Sequence, residues 1–180
     1  MLYRIQQFWL ALNSRPKEGD LLQASLILGP RLYALFQQMD ASEQAHSLQV
    51  LRRVQAQKFT DHNLLVAALL HDCGKSRRPL HLWERIWIVM AKTIIPAQAK
   101  TWGSQPAVAL KETPFWRQPL IVAAQHAHWG AEMAELAGAT QLSAELIRRH
   151  QDHFPVQSFS KSNNLEDSLL AALQAADNQS

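Results

Sequence analysis

The chain carries eight histidines in 180 residues. His46, His71, His126 and His150 each fall within a separate predicted helix or at its end, with gaps of 25, 55 and 24 residues. A gap near 25 accommodates a helix, a turn and part of an antiparallel return helix, so these side chains can come back to one level of a bundle. Asp72 sits beside His71 in LLVAALLHDCGKSRR, and Asp177 follows His150 by 27 residues on yet another predicted helix. Imidazole and carboxylate together suit divalent Mn, Fe, Co, Ni or Zn. A single cysteine, Cys73, rules out a thiolate-rich structural zinc site and an internal disulfide, and fits a reducing cytoplasm.

Neighbouring helical residues point about 100° apart, so one small site gathers both His71 and Asp72 only beside a helix end. A buried histidine bonded to a neighbouring carboxylate would look the same in isolation; recurrence on other helices makes metal the stronger reading. Lys75, just past the pair, is placed to contact a phosphate, with Arg77 and Arg78 behind it; the alternative is a solvated basic loop. His128 lies about 200° from His126 around a helix and faces elsewhere. His153, three residues beyond His150, is a reserve ligand. His62 and His81 read as loop or helix-end residues.

These groups need helices to position them. Apolar residues recur at three and four positions almost throughout, and no stretch alternates long enough for a strand, so the expected fold is an all-α, single-domain helical bundle. Helices are predicted over 2–12 and from about Leu21 to Leu28, where Gly29-Pro30 ends one helix and opens another. Asp40 is expected to cap the helix carrying His46, with Glu43 completing a variant capping box. Asp61 is expected to cap the helix ending at His71-Asp72, and Gly74 to take the left-handed position past its end. A helix from about Leu80 to Thr93 precedes a looser region, 94–118. PLIVAAQHAHWGAEMAELAG reads as one long helix, or two joined near Gly130, stopped by Gly138. Helices starting at Ser143 and through LEDSLLAALQAAD complete the set.

In LHLWERIWIVMAKTIIP, Trp83 and Trp87 form an aromatic stripe that reads as core packing, or as a face docking on a membrane surface or partner. A net charge of +3 is too mild and scattered to indicate nucleic acid. No apolar run approaches the roughly 20 residues of a membrane span, and the start lacks the features of a secretory signal.

The ordered set AHSLQV, LLHDCGK, HAHWGAEMAELAG, ELIRRHQDH and LQAADNQ resembles the HD-domain superfamily of metal-dependent phosphohydrolases over residues 40–180. The resemblance implies an HD-type core over 40–180 with accessory helices over 1–39. It implies that His46, His71, Asp72 and Asp177 hold one divalent ion, that His126 and His150 help hold a second when present, and that Asp72 bridges them. His126 is preferred to His128 because its HxxxG spacing to Gly130 matches the family. The chain departs from many two-metal members in carrying Gln151 after His150. It also lacks the Gly-Tyr-Pro element of the cyclic-di-GMP phosphodiesterases. The implied activity is hydrolysis of a nucleotide or other phosphate ester, with Asp72 and Lys75 catalytic and Lys75 and Arg78 binding substrate. The competing reading is a non-catalytic signalling or binding module that docks through segment 80–95.

Overall fold

The computed structural model describes residues 15–105, 112–152 and 164–179. The helix expected over 2–12, His153 and most of the loop VQSFSKSNN lie outside the described residues. Among them there are eight α-helices and no strand: α1 Glu18–Phe36, α2 Ala41–Ala56, α3 His62–Leu70, α4 Leu82–Ile94, α5 Pro96–Gly103, α6 Gln118–Leu136, α7 Gln141–Arg149 and α8 Leu165–Asn178. A short 3₁₀ turn, Cys73–Arg77, follows α3. The protein is an all-α, single-domain bundle.

Helix α3 explains the layout. Leu64, Val66, Ala67, Ala68, Leu69 and Leu70 are all buried, and a helix apolar on every side must be enclosed. Helices α1, α2, α7 and α8 surround it. Leu28, Leu32 and Phe36 of α1 share the core with Leu48 and Leu51 of α2 and Leu170 and Leu173 of α8. Asp61 caps α3, accepting the N–H groups of Asn63 and Leu64 at 2.9 and 3.2 Å. Thr140 caps α7 through the N–H of Ser143 at 3.1 Å. Within α1, Gly29 adopts φ 64°, breaking the helix where Pro30 restarts it.

Three local expectations are corrected. Asp40 occupies the N-cap of α2 without a side-chain capping bond; its carboxylate lies 3.8 Å from Arg85, and Glu43, which would complete the box, is drawn to Lys75 and Arg85. Gly74 is not left-handed; the positive-φ glycines are Gly29 and Gly138. It is required by close approach: a Cβ there would lie 2.0 Å from the His126 carbonyl oxygen and 2.7 Å from the Gly130 nitrogen. The region expected to be loose contains α5, which starts with Pro96 at its first turn and packs on α4 and α6. Helix α6 runs unbroken through Gly130, and Gly138 with φ 97° supplies its left-handed exit.

Candidate metal centre

The turn after α3 lies against α6 at Gly74 and Gly130. That contact brings the end of α3 to the middle of α6, where His126 is buried. His46 reaches in from the second turn of α2, His150 from the C-cap of α7 and Asp177 from the last turn of α8. The six side chains form two groups, each able to hold a metal ion: His46, His71 and Asp177, and Asp72, His126 and His150. Within each group the ligand atoms lie within 4.8 Å of one another.

Asp72 stands between them. Its Oδ2 is 3.5 Å from His71 Nε2 and 3.8 Å from His46 Nε2. Its Oδ1 is 3.2 Å from His126 Nε2 and 3.9 Å from His150 Nε2. One carboxylate thus turns an oxygen to each group. Asp177 Oδ1 faces only the first, 3.0 Å from His46 Nε2 and 3.6 Å from His71 Nε2.

Three of the rings are oriented by backbone. Nδ1 of His71 donates to Ala68 O at 3.1 Å, that of His126 to Val122 O at 3.0 Å and that of His150 to Ile147 O at 2.7 Å. With Nδ1 as donor, the neutral ring keeps its lone pair on Nε2, the nitrogen turned to the centre. His126 Nε2 is buried and makes no hydrogen bond, and the Nε2 atoms of His46 and His71 face each other at 3.3 Å. Inward lone pairs beside two carboxylates require a positive charge among them. Burial opposes charge on His71, but Asp72 and Asp177 outweigh it and lift its pKa to about 9. His150 is driven the other way, to about 3, by burial and by the charge of His71. A divalent ion satisfies both the nitrogens and the carboxylates, so the donor set fits a metal.

Lys75 Nζ donates to Asp72 Oδ2 at 2.6 Å and to Glu43 Oε2 at 3.2 Å. Burial disfavours its charge, yet the two carboxylates raise its pKa, so it remains an ammonium. Glu43, itself buried, also accepts from Arg85 at 2.8 Å. An alternating chain, Arg85, Glu43, Lys75, Asp72, therefore runs from α4 to the centre. Sequence reasoning missed Glu43. The available signal was its position three residues before His46, on the same face of α2. A cleft of about 200 Å³ opens over His126, lined also by Lys75, Arg85, Lys92 and Gln151.

The other polar candidates belong to neither group. Arg78 is engaged by Glu84 at 2.6 Å and Gln118 at 3.1 Å. Arg77 lies over the Trp129 ring, and exposed His128 pairs with Glu132 at 3.2 Å. Cys73 is fully buried with Sγ 3.5 Å from Gly130 O; burial and the charge of Asp72 push its thiol up to about 12. His62 opens α3 and His81 precedes α4. Helix α4 is packed on one side and exposed on the other. Trp87 packs with Ala91, Ala99 and Leu120 and donates to Trp116 O at 2.6 Å. Trp83, Ile86, Val89, Met90 and Ile94 form an exposed stripe. No helix among the described residues is long and apolar enough to cross a membrane.

No protein-family model, curated protein or solved structure matches this chain.

Proposed function

We propose that the protein is an HD-type, metal-dependent phosphohydrolase acting on a nucleotide or other phosphate ester in a reducing cytoplasm. The observation that carries this reading is the Asp72 carboxylate, which turns one oxygen to each histidine group. His46, His71 and Asp177 would hold one divalent ion, His126 and His150 a second, and Asp72 both. Such an ion supplies Lewis acidity, polarising a phosphoryl oxygen and making water acidic enough to attack near neutral pH. The backbone-bonded histidines hold their Nε2 atoms in place before any ligand arrives, which removes reorganisation from binding. An ammonium has three donors; Lys75 gives two to Asp72 and Glu43 and has a third for a phosphoryl oxygen. Phosphoryl transfer needs mainly this kind of positioning and charge stabilisation. Arg78 supports the turn through Glu84 and has no part in the proposed chemistry.

The test is metal content per chain on untagged protein purified without added metal, beside Asp72→Ala, with hydrolysis of phosphate mono- and diesters by both. Metal and turnover present in the parent and absent in the variant are expected. Normal turnover by Asp72→Ala refutes the mechanism. Metal binding without turnover of any ester favours the second reading, a regulatory module docking through the exposed stripe of α4, whose Val89 and Ile94 are 62% and 68% exposed.

A further inference from the structure

Trp83, Ile86, Val89, Met90 and Ile94 recur at steps of three and four along α4 and are exposed, while Trp87 and Ala91, on its other side, pack with Ala99 of α5 and Leu120 of α6. From Trp83 to Ile94 the exposed stripe is about 16 Å long, at 1.5 Å per residue. Phe115, 67% exposed, extends it, its ring meeting that of Trp83 edge-on at 6.2 Å. A contiguous apolar patch of this kind marks an interaction site.

Charge identifies what the patch meets. Between residues 73 and 131 the chain has eight Lys and Arg and two Glu; in the rest of it acids outnumber bases, thirteen to ten. The total of +3 therefore conceals a strongly basic segment, and that segment carries the stripe. Of its two acids, Glu84 is buried against Arg78, which leaves Glu112. Among the described residues no carboxylate lies within ion-pair distance of Lys92, Lys100 or Arg117. Lys92 and Lys100 are exposed and line one groove, and Lys92 borders the stripe, three residues past Val89. Arg117, over the rings of Trp102 and Trp116, follows Phe115 by two residues. A bilayer with anionic headgroups matches this arrangement: acyl chains take the stripe, phosphates the cations, and the boundary between them the aromatic rings. A second copy of the chain would set two basic faces against each other, and nucleic acid offers nothing to the stripe.

We propose that the exposed face of α4, with Phe115, docks the protein on an anionic membrane surface. Arg85, Ile88 and Lys92 of the same helix line the cleft over His126, so the docked face adjoins the candidate metal centre. The inference is independent of the hydrolase reading, since binding is measured without turnover.

The test is flotation of the full chain with vesicles of phosphatidylcholine, alone or with about 30% phosphatidylserine, in about 0.1 and 0.5 M NaCl, beside sedimentation of the lipid-free protein. Binding to the serine-containing vesicles is expected, about tenfold or more tighter than to phosphatidylcholine alone and weakened at the higher salt by screening. Ile86→Ser with Met90→Ser should abolish it. Lys92→Gln with Lys100→Gln should weaken it about 25-fold, about fivefold for each basic residue at an anionic surface. Both double variants should keep the parent's urea midpoint, because exposed substitutions leave stability nearly unchanged. A lower midpoint in the serine variant would mean that another part of the chain covers the face, and overturns the proposal. So does equal binding with and without phosphatidylserine, or full binding by either double variant. A parent that binds neither vesicle also overturns it, and its sedimentation as a dimer that Ile86→Ser with Met90→Ser dissociates would assign the face to a second copy instead.

Discussion

Replacing Gly74 by alanine tests how the centre is assembled. The backbone at Gly74 is not left-handed, so alanine meets no conformational penalty and the conflict is steric. Its Cβ would stand 2.0 Å from His126 O and 2.9 Å from His126 C, whereas ordinary contact begins at 3.4 Å. The turn must retreat from α6 by about 1.4 Å, a value set by those two distances. Asp72, two residues earlier, moves with it and parts from His126 Nε2, now 3.2 Å away. Metal–ligand distances tolerate only about 0.2 Å, so the Asp72, His126 and His150 group should lose its ion. Overpacking of this kind costs about 3 kcal/mol, or roughly 6–12 °C in Tm for a chain of this size. Urea unfolding followed by circular dichroism, with metal per chain on the same preparations, reads both effects. Gly19→Ala is the control: its Cβ meets nothing within 4 Å, and alanine should stabilise the helix by up to about 1 kcal/mol. A Gly74→Ala protein within about 0.5 kcal/mol of the parent and holding its full metal would refute the reasoning.

Three further outcomes are expected. If two ions bind as proposed, Asp177→Asn should remove the one assigned to His46 and His71 and His150→Ala the other, so each variant keeps a share of the parent's metal; elemental analysis showing complete loss in both would mean a single shared ion. Glu43→Gln leaves Lys75 and Arg85 without their common carboxylate and should cost about 2 kcal/mol in urea unfolding, with a higher KM for phosphate esters once Lys75 loses its anchor. Glu84, 1% exposed, is opposed by burial but held below its ordinary pKa by hydrogen bonds from Arg78 and the His81 backbone. Its contribution is therefore present above its unfolded value, about 4.3, and is lost as pH falls through the lower folded value. Glu84→Gln should cost about 2 kcal/mol at pH 7, and the gap to the parent should narrow below pH 4; a constant gap in pH-resolved unfolding would contradict the pairing.

The elements were legible because their signals are local. Asp61 caps α3 through N–H groups two and three residues away, Gly29-Pro30 breaks α1 where the dipeptide stands, and Gly138 ends α6 by its own φ. The six metal-ligand candidates were legible as residue types recurring on separate helices. Elements were misread where the deciding neighbour is distant. Gly74 looked like a helix exit but answers to α6, whose His126 carbonyl leaves no room for a side chain. Glu43 looked like a cap but is drawn to Lys75, 32 residues on.

The sequence by itself determined an all-helical chain, the order of its caps and breaks, and a stock of imidazoles and carboxylates suited to divalent metal. Only tertiary packing decided how that stock is divided. His46 meets Asp177 across 131 residues, and Asp72 comes to serve two groups because the 3₁₀ turn lies directly on α6. Helix periodicity and capping act over about four residues, so they specify which face a side chain occupies. Which faces meet, and therefore which oxygen of Asp72 looks at which histidine, depends on helices packed from distant parts of the chain.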